Sequence, residues 1–428
     1  MSAGPYRDIR FGEDGDLDGA GLDPLLRLDV TDLVMFAHGW NNSPATAARL
    51  HAAFFAPFPS LVSPRVRLGY AGIRWPSMRF PDEPAPGFGP PEPAPPGRAP
   101  EPGQGLDLAT RSALNGLFPG HRATVARLSL LLGTRPESPG AFTEFGRLAR
   151  QLAQAPAGGL EACFTDDLPR DEQGPPALLY EDALTLCRAF TAALERTEPP
   201  SPPGPPGLNG VWRGARELLR QTTYYALKRR AGAVGELGLG PLLGRLARGR
   251  PGIRVHLVGH GQGARLVAFA LRGLPDGVHS VKSVTLLQAA FSQYAFAPSL
   301  PHAAQNSGAL RAMEHRVDGP VVACYSRHDS ALGVIYPLAS RLAGDDRRPG
   351  GPDPRWWAAG HGGLRSAGPP SVRLTLEEAL TRGLPRAGCV SLDSASVVRR
   401  GGPPTGAHSD ICHRELARVV VAAGRIGR

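Results

Sequence analysis

The chain has 428 residues, of which 42% are hydrophobic, so it can bury a sizeable core and is not a disordered protein. Its 54 glycines and 45 prolines show no three-residue period, which excludes collagen and indicates long irregular connections. The formal net charge of +10 comes mostly from arginine, and we interpret it as a compositional bias, so that no nucleic-acid partner is favoured.

The cysteines and the N-terminus bear on the cellular compartment. The five cysteines, at positions 163, 187, 324, 389 and 412, form no CxxC pair and no cluster with histidine, so we expect no metal site. The first 18 residues carry charges of both signs and no apolar segment, which predicts that there is no secretory signal. No stretch approaches the roughly 18 uninterrupted apolar residues that span a bilayer. We therefore expect a soluble cytoplasmic protein with no membrane partner and no cofactor.

Short apolar runs bounded by turn residues predict six strands, at residues 33–37, 66–73, 253–258, 281–287, 321–325 and 389–392. Several of these runs are separated by segments of helical period, which is how parallel strands joined by crossover helices look in a sequence. We predict an α/β fold whose mostly parallel sheet has helices on both faces. The predicted core comprises residues 1–80 and 250–428.

Residues 105–249 follow a helical pattern. One predicted helix has apolar residues on a single face between positions 142 and 152, and two more are predicted near 179–190 and 211–230. We predict that they form a helical cap over the sheet edge where open α/β folds bind ligands; alternatively, they only enlarge the core. Proline-rich segments at 81–104, 198–207 and 347–370 are predicted to be exposed loops.

The most informative segment is residues 255–266, VHLVGHGQGARL, in which an apolar run enters a glycine-rich turn and leaves as a helix-forming stretch. This is the context of a nucleophile elbow, usually GxSxG, whose outer glycines, here Gly259 and Gly263, allow the sharp turn. Gly261 occupies the nucleophile position. Glycine tolerates the positive φ of such a turn but has no oxygen to attack a carbonyl. Phosphate binding is the weaker alternative, because the glycine spacing does not match GxGxxG.

A second strand, at 33–37, leads into residues 38–43, HGWNNS. The backbone N–H groups of Trp40 and Gln262, one after each turn, are the predicted oxyanion-hole pair. We expect His38 to brace its loop rather than to titrate. The other residues predicted to support the site are Gly39, His260 and Gly263.

These motifs, in this order, resemble the α/β-hydrolase superfamily. HGWNNS at 38–43 followed by IRWPS at 73–77 is similar to actinobacterial-type serine hydrolases of unknown physiological role, which carry HG-[YW]-N-N-S and W-P-S ahead of a serine elbow. Residues 223–232, TYYALKRRAG, resemble a segment that these proteins have shortly before the elbow. The resemblance implies an α/β-hydrolase fold and a Ser-Asp/Glu-His triad that acts on ester, amide or peptide carbonyls.

The other triad positions follow from the chain order of this fold, which is nucleophile, acid, histidine. Asp329, in the loop after the strand at 321–325, is the predicted acid; alternatively, it is a turn aspartate that binds its own backbone. His408 lies just before the last predicted helix, where the resembled fold carries its base. His413 is predicted to be a surface residue and Asp410 a helix N-cap.

Because Gly261 lacks a nucleophilic oxygen, we predict a hydrolase-family protein with an impaired site and a small-molecule or peptide carbonyl ligand. One alternative is a slow hydrolase in which His408 and Asp329 activate water directly. The other is a binding or scaffolding protein that holds a ligand without turnover. An arginine-rich stretch at 213–230 could bind nucleic acid or anionic lipid, but a solvated helical face explains it better.

Overall fold

The protein is described by a computed structural model, which covers residues 4–19, 21–78, 80, 105–154, 167, 177–199, 207–301, 303–343, 354–368 and 371–427. Strands and helices alternate along the two ends of the chain, and the middle is helical. The described residues form one eight-stranded sheet in which every neighbouring pair of strands is parallel. The predicted α/β class is therefore confirmed.

Six of the strands coincide, to within one or two residues at each end, with the predicted apolar runs. The two strands that were not predicted, β1 and β7, lie at the sheet edges, and their partly exposed sequences lack a long apolar run. The order across the sheet is β1-β3-β2-β4-β5-β6-β8-β7. The strands are β1 Tyr6–Arg10, β2 Asp32–Ala37, β3 Leu68–Arg74, β4 Arg254–His260, β5 Val281–Leu287, β6 Pro320–Tyr325, β7 Ser371–Thr375 and β8 Gly388–Asp393.

The helices connect the strands and build the central insertion. A π-helical turn at Val234–Leu239 joins α8 to α9. Within the described part of the chain, no helix is both long enough and apolar enough to cross a membrane. The helices are α1 Leu22–Leu26, α2 Pro44–Phe55, α3 Leu108–Leu117, α4 Arg122–Thr134, α5 Pro139–Ala153, α6 Ala177–Tyr180, α7 Ala183–Thr197, α8 Trp212–Ala233, α9 Gly240–Gly249, α10 Gln262–Phe269, α11 Tyr336–Ala343, α12 Ala359–Gly362, α13 Leu376–Thr381 and α14 Arg414–Gly424.

The sheet is apolar on both faces, as expected for strands covered on both sides. Along β2, Leu33 and Met35 belong to one hydrophobic cluster, which includes residues of α1, α9 and α10. The intervening Val34 and Phe36 belong to the other cluster, with residues of α2, α13 and α14. This alternation explains why the central strands appear in the sequence as continuous apolar runs.

The helices of the insertion share the first of these clusters with the sheet. Phe142 of α5 stacks on Trp212 of α8 with ring centroids 4.3 Å apart, and α8 also packs against α10. The insertion therefore extends the core of one sheet face as well as reaching toward the carboxyl edge. A division of the chain into hydrolase core and cap stays a prediction.

One proline-rich segment differs from the predicted exposed loop. In the stretch 347–370, residues 358–360 are buried, and the N–H of Gly360 donates to the carbonyl oxygen of Ala289. A Cβ atom at position 360 would lie 2.2 Å from the backbone of Gln288, so only glycine permits this approach. The segment 81–104 and residues 200–206 lie outside the described residues.

Candidate active site

The turn between β4 and α10 has the geometry of a strained strand-to-helix elbow. Gly261, at its centre, has φ 57° and ψ −118°, a conformation that L side chains rarely adopt. Cβ atoms at the flanking glycines would overlap backbone atoms: at Gly259 the oxygen of Gly263, 2.3 Å away, and at Gly263 the oxygen of Ala37, 2.2 Å away. Gly259 is therefore required by the tightness of the turn itself, and Gly263 by its close approach to the end of β2.

His408 and Asp329 come together at the same edge of the sheet. Nδ1 of His408 lies 2.8 Å from Oδ2 of Asp329, and the other carboxylate oxygen accepts from the N–H of Leu332 at 3.0 Å. Asp329 thus binds its own turn and also orients the histidine, so both predicted roles are present in the contacts. Asp329 is fully buried, and the His408 side chain is 19% exposed.

The imidazole faces the elbow. A Cβ atom at position 261 would lie 3.1 Å from Nε2 of His408 and 3.6 Å from Cα of Gly39. Because Nδ1 faces the carboxylate, Nε2 is the nitrogen turned toward the position of the missing nucleophile. The structure thus brings together the predicted nucleophile, acid and base positions, while their catalytic roles stay predictions.

The predicted oxyanion-hole residues flank this point. Among the described residues, the backbone N–H groups of Trp40 and Gln262 donate to no acceptor. Gln262 is the first residue of α10, so its N–H is one of those that a helix leaves unsatisfied at its N-terminus. Both groups are available to a ligand oxygen, and their convergence on a single oxygen stays a prediction.

His38 braces the loop that carries Trp40. Nδ1 of His38 donates to the oxygen of Gly39 at 3.0 Å, and its ring stacks on Trp75 with centroids 5.7 Å apart. Trp75 Nε1 donates in turn to the oxygen of His38 at 2.9 Å. Burial lowers the pKa of His38 to about 4, so the ring is neutral near pH 7. These contacts agree with a bracing role.

Polar residues of the HGWNNS and WPS motifs also hold the loop that carries Trp40. Asn42 Nδ2 donates to the oxygens of Gly39 and Trp40, at 3.0 and 3.1 Å. Ser43 caps α2, and Ser77 donates to the oxygen of Asn42 at 2.8 Å. The HGWNNS and WPS motifs are therefore parts of one hydrogen-bonded support.

His260 connects the loop of Gly39 with the turn that carries His408. Its Nε2 donates to the backbone oxygen of His408 at 2.8 Å, and a Cβ atom at Gly39 would lie 3.1 Å from its Nδ1. Burial, followed by the nearby charge of His408, lowers the pKa of His260 to about 3. His260 is thus a neutral donor that supports the turn of His408. The sequence predicted His260 as a supporting residue but did not reveal this partner.

An apolar wall beside the elbow was also missed. Its buried members are Tyr224, Ala290, Leu332, Tyr336 and Ala358, and Trp40 packs against them. The Tyr224 hydroxyl donates to the oxygen of Ala290 at 3.2 Å. In the sequence, Tyr224 stands out only as part of the TYYALKRRAG segment, and no sequence signal pointed to Tyr336.

Two buried side-chain atoms of Trp40 and Gln262 also have no partner within the described part of the chain. They are the indole Nε1 of Trp40 and the amide oxygen Oε1 of Gln262. The Gln262 amide nitrogen donates to the oxygen of Tyr224 at 3.1 Å. A buried polar atom without a partner is costly, so a ligand group is a natural complement to each atom.

His413 pairs with a different carboxylate. Its Nε2 lies 2.8 Å from Oδ1 of Asp410, and Asp410 also accepts from the backbone N–H groups of Arg399 and Arg400. The N-cap residue of α14 is His413, so the prediction of Asp410 as a helix cap is wrong. The Asp410 carboxylate instead holds the loop that precedes the turn of His408.

Comparisons with protein-family models, with curated proteins and with solved structures each find no match for this chain. The resemblance to α/β hydrolases therefore rests on the sequence motifs alone.

Among the residues that the structure describes, no group of three or more His, Cys, Asp or Glu side chains could hold a metal ion.

Proposed function

We propose that this chain is an α/β-hydrolase-type protein related to serine hydrolases of ester, amide or peptide carbonyls, and that it binds a carbonyl ligand without forming an acyl-enzyme. The observation that carries the proposal is the position of His408. Its Nε2 lies 3.1 Å from where a side chain at position 261 would begin, while its Nδ1 lies 2.8 Å from Asp329. His408, oriented by Asp329, thus faces Gly261, which has no side-chain atom that could act as a nucleophile.

Each part of the site has a role in this proposal. The backbone N–H groups of Trp40 and Gln262 donate to the ligand oxygen, as those of an oxyanion hole do. The wall that includes Tyr224, Leu332 and Tyr336 receives the apolar part of the ligand. With no oxygen at Gly261, hydrolysis would depend on water activated by His408, which leaves at most about 10³- to 10⁴-fold acceleration over the uncatalysed reaction.

The test restores the missing atom. We expect the unmodified chain to be unreactive toward a fluorophosphonate probe, which needs an activated serine. The Gly261→Ser variant should gain labelling and short-chain ester hydrolysis, and adding His408→Ala should reduce the hydrolysis rate by about 10²- to 10⁴-fold, the usual contribution of a general base.

Ser283, which contacts the buried His256, offers a matched control. Ser283→Ala in the Gly261→Ser background should leave labelling in place, because the probe cannot reach a fully buried hydroxyl. If a folded Gly261→Ser variant is neither labelled nor active, the site is not of the hydrolase type. Fast ester hydrolysis by the unmodified chain would contradict binding without turnover.

The localisation that accompanies this proposal is the cytoplasm. The four described cysteines, Cys187, Cys324, Cys389 and Cys412, are free thiols. Unpaired cysteines are the normal state in a reducing compartment. Labelling of these thiols in intact cells, before and after a reductant is added, would test the assignment.

A further inference from the structure

The glycine at the elbow leaves a space bordered by polar groups. The three atoms nearest to a Cβ atom at position 261, beyond its chain neighbours, are Nε2 and Cε1 of His408 and Cα of Gly39. In a serine hydrolase the nucleophile's side chain fills this space. Here a ligand atom can enter it and approach the imidazole.

The buried carboxylate of Asp329, behind His408, favours a ligand group that accepts a hydrogen bond from the imidazole. Asp329 is fully buried, and Oδ2 lies 2.8 Å from Nδ1 of His408. A buried carboxylate is normally paired with a cation. An imidazolium at His408 would meet that requirement, and its Nε2–H would then donate toward the elbow.

Three further donors lie in the same residues that flank the elbow. They are the backbone N–H groups of Trp40 and Gln262 and the buried indole Nε1 of Trp40, none of which has an acceptor among the described residues. Gln262 also begins α10, whose N-terminus carries partial positive charge. The excess of donors indicates an anionic group with more than one oxygen.

We propose that the ligand of this site is a monocarboxylate, an inference that rests on the proposed function. One carboxylate oxygen accepts from the N–H groups of Trp40 and Gln262. The other enters the space at Gly261 and accepts from Nε2 of His408, and the apolar chain lies against the wall that includes Leu332 and Tyr336. An ester has only one strong acceptor, so it matches fewer of these donors.

The competing ligand is a primary amide. Its carbonyl oxygen could use the same N–H groups, and its amide N–H could serve a neutral His408 or the unpartnered Oε1 of Gln262. A neutral imidazole accepts a hydrogen bond at one nitrogen, so the amide and the carboxylate require different protonation states of His408. Matched ligands can therefore separate the two.

The experiment compares butyrate, butyramide and methyl butyrate, which have similar shapes and different charge, by ligand-observed NMR titration of the full chain. We expect butyrate to bind at least about tenfold more tightly than either neutral analogue, because hydrogen bonds to charged groups are roughly twice as strong as neutral ones. Equal or tighter binding of butyramide would overturn the carboxylate assignment and leave carbonyl binding intact. Absence of binding by all three would count against both, and labelling of Gly261→Ser then reports on the hydrolase-type site alone.

Two variants test the contacts directly. His408→Gln should weaken butyrate binding by roughly tenfold to a hundredfold and change butyramide binding less, because only the charge-assisted hydrogen bond is lost. The matched control is His413→Gln, which removes another ring 2.8 Å from a carboxylate and should leave butyrate affinity unchanged. Equal effects of the two substitutions would refute the role of His408.

Gly261→Ala places a methyl group in the space and should also reduce butyrate affinity by about tenfold or more. Its control is Gly277→Ala, because Gly277 has a positive φ of 74° and nothing within 4 Å of an added Cβ atom. Undiminished butyrate binding by folded Gly261→Ala would show that the carboxylate does not use this space.

Discussion

Two clusters of Ser-, His- and Asp-type positions lie at opposite ends of the strands, and only one has the geometry of an active site. At the amino-terminal end, His256 lies 3.1 Å from the Ser283 hydroxyl and 3.0 Å from the Asp32 carboxylate. At the carboxyl end, the corresponding set is Gly261, His408 and Asp329, and it lacks the hydroxyl. The cluster around His256 thus has all three residue types, whereas the cluster at the elbow, where the candidate site lies, has only two.

The surroundings explain the difference. Ser283 lies inside β5, where the residue is fully buried. Burial lowers the pKa of His256 despite its hydrogen bond with Asp32, so this imidazole stays neutral between β2 and β5. Gly261 by contrast sits on a strained turn at a helix N-terminus, beside a partly exposed histidine. Position at the carboxyl edge, more than residue type, makes a site accessible to a ligand.

The largest expected difference between the two clusters is in stability. His256→Ala should lower the free energy of unfolding by about 2–5 kcal/mol, because it removes a fully buried ring on which α14 packs and one of the hydrogen-bond partners of Asp32. His408→Ala should cost about 1 kcal/mol, because water can reach its partly exposed side-chain position. Urea unfolding of both variants measures the difference.

The contrast fails if the two variants lose the same stability, or if His408→Ala loses more. Ser283→Ala provides a check within the buried cluster, since it removes one neutral hydrogen bond and should cost about 1 kcal/mol. A cost as large as that of His256→Ala would mean that the hydroxyl, rather than the buried imidazole, holds the strands together.

The stability of the fold should depend on pH through His38, the buried histidine that braces the loop of Trp40. The folded-state pKa of His38 is about 4, below the ordinary value of 6.5, so between these pH values the unfolded chain binds more protons than the folded chain. Stability contributed by neutral His38 is therefore complete above pH 6.5 and is lost as the pH falls toward 4. At 1.36 kcal/mol per pKa unit, the loss is about 3 kcal/mol.

The variant His38→Gln removes this titration. Its free energy of unfolding should fall less between pH 6.5 and 4 than that of the unmodified chain, while unfolding at pH 7.5 reports the cost of lost packing alone. Parallel pH profiles for the two proteins would show that His38 does not stay neutral in the folded state.

The sequence predicted the central sheet because its strands are buried on both faces. Continuous apolar runs marked six strands, whereas β7 has four exposed residues out of five and gave no such signal. The elbow, Asp329 and His408 were predicted from the order of the motifs in the resembled fold, and the structure brings these three positions together. The sequence also predicted His260 as a supporting residue, but it did not reveal the hydrogen bond to His408, which joins residues 148 positions apart. The prediction of an exposed loop at 347–370 was wrong because of another contact between residues far apart in sequence. The small residues at 358–360 are buried, and Gly360 approaches the backbone just after β5.

The smallest expected effect concerns the elbow itself. Gly261→Ser should lower the free energy of unfolding by about 1 kcal/mol for placing a side chain at positive φ, and Gly277→Ser should cost about the same. The two positions differ in their surroundings, because a Cβ atom at 261 lies 3.1 Å from Nε2 of His408, its nearest neighbour, while one at 277 meets nothing within 4 Å. The difference between the two losses therefore measures how well the imidazole accommodates a side chain. Since His408 lies in a short turn and is partly exposed, it can move by a few tenths of an ångström, and the extra cost should stay below about 1 kcal/mol. An extra cost of several kcal/mol that disappears in Gly261→Ser/His408→Ala would mean that the imidazole has closed onto the glycine and that the elbow no longer accepts a serine.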